Sequence, residues 1–307
     1  MKKRISYYIY IPSGNDTALV EGNGFDEVEK KFINDRIMEK HTNIEQVGFL
    51  EQNENRLEMA GGEFCANASR CAAHYYLKGR KGELNINVSG LEGEMIAGID
   101  DDGDVWCKGL IKSGEKIEKA VTKLDRGVYK ISLEGITHLV VENANLLKEA
   151  RLEEEEKEEA QEETEESQKE AQSKGSEPID KHTKKYSNED SNEKIKELAV
   201  KLIDKYFVSD PNAIGVMFVT STGDVIDMKP VVWVKKIDTL FYETACSSGS
   251  IAVAIYKSFV ENSSQKLNIL QPSGQWIMAE TELKDGRITD TRISGVISTD
   301  GIRYEMT

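Results

Sequence analysis

The chain has 307 residues, beyond the size at which one hydrophobic core usually suffices, so two domains are expected. A formal net charge of −15 argues against a nucleic-acid partner, which needs a basic footprint, and against docking on an anionic membrane. Four cysteines do not make a disulfide framework at this length; they read as reduced thiols of a cytoplasmic protein, and no apolar run is long enough to span a bilayer.

The start, Met1-Lys2-Lys3-Arg4 and then an apolar run, imitates a secretion signal. The run is short, tyrosine-rich and alternating, and no small-residue cleavage site follows, so it reads as a first strand over residues 5–10, stopped by Pro12-Ser13-Gly14. A helix is expected after Cys65, running toward Leu77, then strands at 84–88, 94–99, 105–108 and 137–142. Residues 147–192 are built from Glu, Lys, Gln and Ser; within 151–170, eleven glutamates stand against two lysines and one arginine. Such a segment cannot bury enough apolar surface to offset its ordering entropy, so it is expected to be a disordered or solvated acidic insertion. A helix over 193–207 carries Ile195, Leu198, Ala199, Leu202 and Ile203 at helical spacing. Strands at 214–220, 225–228 and 231–235 precede a helix from Cys246 toward Val260, and strands at 267–270, 276–280 and 292–298 end the chain.

One motif occurs twice. Glu63-Phe64-Cys65-Ala66-Asn67-Ala68-Ser69 is echoed by Glu243-Thr244-Ala245-Cys246-Ser247-Ser248-Gly249-Ser250. Counted from each cysteine, serine stands at +4 (Ser69, Ser250), alanine at +8 (Ala73, Ala254) and tyrosine at +10 (Tyr75, Tyr256), and each copy leads to a Ser-Gly pair, Ser89-Gly90 and Ser273-Gly274. Each copy reads as cysteine, helix, strand, Ser-Gly turn, strand, which points to duplication. Both cysteines fall at a helix N-terminus, where unpaired N–H groups and the dipole stabilise a thiolate. The small residues after each let a carboxylate reach the same N–H groups. Two facing thiols in opposite protonation states can remove a proton from one side of a carbon and return one on the other. This chemistry needs no metal or prosthetic group. Cys71 and Cys107 lack counterparts in this pattern and read as structural. Cys65, Cys71 and His74 lack a second ligand pair and do not converge on a helix, which argues against zinc.

These residues resemble the diaminopimelate epimerase superfamily of cofactor-independent racemases and epimerases. Glu63 to Cys71 is similar to its first cysteine motif and Glu243 to Gly249 to its second. Gly14-Asn15-Asp16 resembles its N-terminal motif, and Gly135-Ile136-Thr137-His138 a degenerate Gly-x-Pro-His turn. The resemblance implies an α+β fold of two pseudo-symmetric lobes, each a β-barrel-like sheet around a central helix, with the active site between them. It implies a first lobe of residues 1–112 plus 296–307, a second of 113–295, and the insertion 147–192 within the second. It assigns the acid and base to Cys65 and Cys246, and amino acid binding to Asn15, Ala66, Asn67, Glu243, Ser247 and Ser248. The epimerase's grip on a distal amino acid end has no counterpart, because Arg56, Gly215 and Asp238-Thr239 stand at the nearest positions. The wording around both cysteines is closer to the bacterial histidine racemases of the superfamily. Glu58, His138, Tyr242 and Asp238 are the candidate readers of a side chain. The expected activity is racemisation of histidine or a similar free amino acid. The alternatives are a diaminopimelate epimerase with an altered clamp and a non-catalytic binding protein on the same fold. A homodimer is compatible with all three.

Overall fold

The computed structural model of the protein describes residues 4–51, 53–142, 188–207, 212–223 and 225–306. Within them the chain is mixed α+β and dominated by sheet. The first half runs β1 (Arg4–Pro12), β2 (Asp16–Glu21), α1 (Glu27–Lys40), β3 (Ile44–Glu51), β4 (Arg56–Met59), α2 (Ala66–Leu77), β5 (Gly82–Val88), β6 (Glu94–Ile99) and β7 (Val105–Lys108). A short β8 (Glu115–Lys116), the single-turn α3 (Ile117–Ala120) and β9 (Val121–Asp125) follow. The succession then returns as β10 (Val128–Leu133), β11 (Ile136–Glu142), α4 (Asn188–Tyr206), β12 (Ala213–Thr222) and β13 (Val225–Val234). After β14 (Thr239–Tyr242) it continues through α5 (Ser247–Glu261), β15 (Gln265–Leu270), β16 (Trp276–Lys284) and β17 (Arg287–Gly295), and β18 (Ile297–Met306) ends it.

Strand pairing repeats with the order. β1–β2 and β10–β11 are antiparallel, and β2–β3 and β11–β12 are parallel. β3–β4 and β12–β13 are antiparallel, and β4–β5 and β13–β15 are parallel. The antiparallel ribbons β5–β6–β7 and β15–β16–β17 complete the match. β18 flanks β1 as β9 flanks β10. The halves join where β7 lies antiparallel to β17, with Val105 opposite Gly295.

α2 packs against every strand from β1 to β7, and α5 against β9 to β12 and β15 to β17. Small residues make this possible. Ala66, Ala68, Ser69, Ala72 and Ala73 on α2, and Ser247 to Ser250, Ala252 and Ala254 on α5, are all buried. They let sheet approach on all sides, while Ile251, Val253 and Ile255 fill the wider space around α5. Burying each of these larger side chains is worth about 1.5–3 kcal/mol. Both helices end on a left-handed residue, Lys78 (φ 55°) and Asn262 (φ 48°).

Strands β2 to β4, β8 to β10 and β14 and the single turn α3 were not among the expected elements, and four further departures have visible causes. α1 was not expected, because its pattern is weak: Val28 and Phe32 are exposed, while Lys30 and Asn34 are buried beside Ile33 and Ile37. Its legible signal is a capping box, Asp26 accepting from the Glu29 N–H at 2.8 Å and Glu29 from the Asp26 N–H at 3.1 Å. Residues 225–228 and 231–235 are one strand running through Pro230. The proline is tolerated because β13 changes its outer partner there, from β15 at Ile226 and Asp227 to β14 from Val231 onward. Residues 292–298 instead span a break, since Val296 separates β17, paired with β7, from β18, paired with β1. α4 begins at Asn188, inside the segment read as insertion; residues 147–187 of that segment lie outside the described residues. No helix among the described residues is long and apolar enough to cross a membrane.

Candidate active site

Each of the two cysteines caps a central helix, with nearly the same backbone. Cys65 has φ −133° and ψ 110°, and its Sγ accepts the Ala68 N–H at 3.4 Å. Cys246 has φ −130° and ψ 106°, and its Sγ accepts the Gly249 N–H at 3.3 Å. The shared serine at +4 seats each cap: Ser69 Oγ donates to the Cys65 carbonyl at 2.8 Å, and Ser250 Oγ to the Cys246 carbonyl at 2.7 Å. The first two N–H groups of each helix, at Ala66 and Asn67 and at Ser247 and Ser248, have no intrahelical acceptor, which suits them to an anion.

Both caps open into one cleft, together with Ala66, Asn67, Ser247, Ser248, Glu63 and Glu243. The halves are stitched directly beneath it. Asn67 Nδ2 donates to the Ala245 carbonyl at 2.8 Å, and Ser247 Oγ donates to Asn67 Oδ1 at 2.5 Å. Arg70, fully buried one turn into α2, donates to Ser247 Oγ at 3.0 Å, to the Gly295 carbonyl at 3.0 Å and to the Val105 carbonyl at 3.4 Å. Its guanidinium therefore ties the start of α5 to the β7–β17 seam. Glu45 of β3 makes a second stitch, accepting from Asn15 Nδ2 at 2.5 Å and from the Thr244 N–H at 3.1 Å. The Asn15 amide oxygen meanwhile accepts from Thr17 Oγ1 at 3.1 Å and from Gln46 Nε2. Asn15 is thus wholly engaged in this network and is not among the residues lining the cleft.

Burial governs the electrostatics. It pushes the Glu63 carboxyl up to about 7 from an ordinary 4.5, and it raises Glu45 and Glu243 as well, which further repel one another's charge. Glu63 Oε2 and Glu243 Oε2 are buried and have no hydrogen-bond partner among the described residues. The sequence suggested that the helix N-termini hold the thiols ready as thiolates. In the structure burial is the larger effect. Cys65 is partly exposed through the cleft, but its thiol is enclosed by protein, and both thiols are raised well above the usual range. The N–H groups of Ala68 and Gly249 oppose this, and the charge of Glu243 adds to it. A cation entering the cleft would reverse part of the effect, since an opposite charge favours both carboxylate and thiolate.

Of the candidate side-chain readers and clamp positions singled out from sequence, only Thr239 lines this cleft. Glu58 bonds Lys30 at 2.7 Å. His138 is fully buried, neither ring nitrogen has a partner among the described residues, and burial pulls its pKa down to about 3. Neither these two nor Tyr242, Asp238, Arg56 and Gly215 line the cleft, whereas Thr239 does. Cys71 and Cys107 are buried, and burial pushes Cys107 up to about 12. Sequence reading passed over Arg70, Glu45 and Asn34. Arg70 had a visible signal, a lone charge within an otherwise small and apolar stretch of helix. Glu45 and Asn34 had none, because each sits on an element whose inward face is set only by tertiary packing.

A family model described as the histidine racemase CntK N-terminal domain matches residues 4–174 and 184–304. The chain belongs to this family. A histidine racemase of Fusobacterium nucleatum subsp. nucleatum is 29% identical over 281 residues, which cover 87% of this chain and 84% of that one. A histidine racemase of Staphylococcus aureus is 30% identical over 106 residues, covering 32% of this chain and 39% of its own length. Among solved structures, a hydroxyproline epimerase of Agrobacterium vitis with bound trans-4-hydroxy-L-proline has a TM-score of 0.59 at 10% identity, covering 99% of this chain and 91% of that one. A PhzF-family phenazine biosynthesis protein of Bacillus anthracis has a TM-score of 0.53 at 14% identity, covering 100% and 99%. At these identities the likeness is one of fold. Membership of the histidine racemase family makes the chain an isomerase of the amino acid racemase class.

Proposed function

We propose that the protein is a histidine racemase that needs no cofactor and inverts the α-carbon between Cys65 and Cys246. The observation that carries this reading is the pair of cysteine caps, alike in backbone and in their +4 serine bonds, in one cleft. The substrate carboxylate binds the free N–H groups at Ala66, Asn67, Ser247 and Ser248. The α-ammonium meets the unpartnered oxygens of Glu63 and Glu243, and its charge stabilises one thiolate. That thiolate takes the α-proton and becomes a thiol. The opposite thiol gives its proton to the other face of the carbanion and becomes the thiolate. The product leaves with inverted configuration and the two cysteines have exchanged states. Helix dipoles beside the carboxylate stabilise the charge that develops as the proton leaves.

This reading divides the chain into lobes of residues 1–112 plus 296–307 and 113–295, each around one cysteine helix, and the duplicated strand pairing supports that division. Free thiols suit a reducing compartment, so we place the enzyme in the cytoplasm. Histidine is favoured over diaminopimelate because neither lysine nor arginine is found among the described residues lining the cleft, so a distal carboxylate lacks a lining cation to pair with. Asn15 acts by positioning Glu45 and, through it, the loop before Cys246.

The test is proton NMR in deuterium oxide with a panel of L-amino acids and no added cofactor. Loss of the α-proton signal of histidine, abolished in both Cys65→Ser and Cys246→Ser, is expected. Exchange of diaminopimelate with none of histidine transfers the reading to the epimerase. Absence of exchange across the panel, from folded and reduced protein, leaves the binding protein.

A further inference from the structure

Besides the cysteine caps, the cleft is lined by the apolar side chains of Met38, Val47, Val232, Ile237 and Phe241. One buried amide stands in this apolar lining. Asn34 of α1 is 1% exposed and lines the cleft one turn from Met38, on the same face of the helix. Its Nδ2 donates to Asp35 Oδ1 at 3.2 Å. A carboxylate only accepts, so the Asp35 contact orients the amide and leaves Oδ1 as the atom without a bond. That oxygen is buried and has no partner among the described residues.

Such an arrangement is unfavourable by itself. Asparagine is a poor residue for a helix interior, and leaving a buried acceptor unsatisfied is costly. An apolar residue there would remove both penalties. Two other polar groups lining the cleft are already engaged: Glu45 with Asn15 and Thr244, and Gln46 with Thr17 and Asn15. What suits this apolar lining is a flat, mostly apolar group carrying an N–H at its edge.

Building on the histidine reading, we propose that Asn34 is the specificity residue of this enzyme, its Oδ1 accepting a hydrogen bond from an N–H of the substrate's imidazole ring. A neutral acceptor serves both the neutral and the cationic ring, since each offers an N–H. It also discriminates strongly, because a ring without a donor leaves the oxygen unpaired in the complex, and sites built to bond a substrate group reject analogues that lack it.

The experiment compares α-proton exchange of L-histidine with that of 3-(2-thienyl)-L-alanine, a five-membered ring of similar shape without a ring N–H. The full-length wild type is expected to favour histidine by roughly a hundredfold or more in kcat/KM. Asn34→Leu, close in volume and lacking the acceptor, is expected to raise KM for histidine about 10–100-fold with a much smaller change in kcat, and to narrow the preference accordingly. Asn34→Asp, which keeps an acceptor, retains the preference. Asn34→Leu should also melt at or above the wild-type temperature, whereas a purely structural amide would lower it. Wild type that exchanges both substrates equally overturns the proposal without any variant. So does an Asn34→Leu enzyme with unchanged preference. If wild type exchanges no amino acid at all, the racemase reading itself fails, an outcome distinct from either of these.

Discussion

The buried carboxyl of Glu63 sets a measurable sign for pH dependence. Its folded value is raised to about 7, while an unfolded chain returns it to about 4.5. Between these values the folded protein holds the proton that the unfolded chain has lost, so stability falls as pH rises. The contribution is fully present below pH 4.5 and gone once pH has passed about 7. Replacing Glu63 by Gln removes the titration. Relative to wild type, Glu63→Gln should therefore be more stable at pH 8 than at pH 5, by up to about 3 kcal/mol. Thermal melts of the ligand-free protein at both pH values measure this, and an equal difference at the two would refute it. The cysteines give the second prediction at this scale. Serine is far less acidic than cysteine, so Cys65→Ser and Cys246→Ser should each lower kcat by about a thousandfold or more, while circular dichroism stays that of wild type. Full activity in either variant sinks the two-thiol mechanism.

At the level of elements, α5 is packed more tightly at its start than α2. Gly249 stands where α2 has Ala68, yet a Cβ on Gly249 would drive into Met217 Sδ and lie 3.1 Å from Cys246 Sγ. Gly249→Ala should therefore displace the second cap, with a loss of at least tenfold in kcat/KM and about 1–3 kcal/mol of stability. The double-mutant cycle with Met217→Ala makes the test specific, because the alanine at 249 should cost clearly less once the methionine is shortened. Additive effects would place the clash elsewhere. Elements also show what the sequence could convey. α2 and α5 were legible because small residues, a capping cysteine and a repeated +4 serine all lie within a few residues of one another. α1 was less so, since its buried face includes Lys30 and Asn34, whose inward position depends on Glu58 of β4 and on the cleft. For the same reason the two cysteines could be found from local spacing and the apolar lining of the cleft could not. Met38 and Val47 lie on α1 and β3 of the first half and Phe241 on β14 of the second, and only the fold brings the two segments together.

For the whole molecule, duplication makes one half a control for the other. Each Ser-Gly turn crosses to the opposite half: Ser273 packs on Gly14, and Gly90 on Gly135. Gly135 has φ 72°, and a Cβ there would lie 2.5 Å from the Gly90 carbonyl oxygen, so backbone strain and collision coincide at the contact between halves. The same comparison bears on the acidic segment. In the first half the connection from β2 to α1 runs from Gly22 to Asp26, five residues. The equivalent connection from β11 to α4 runs from residue 143 to 187, although the strands and helices it joins correspond element for element. The repeated pairing of β10 to β13 thus needs no more than a short link, and loop-closure entropy changes only slowly with length. Replacing residues 147–187 by a short Gly-Ser linker should leave kcat/KM for histidine within about twofold and the melting temperature within a few degrees, since each halving of loop length is worth only about 0.6 kcal/mol. The shortened protein would also lose six of its fifteen net negative charges. Failure of that protein to fold would mean that the acidic segment packs on the second half rather than merely linking two of its elements.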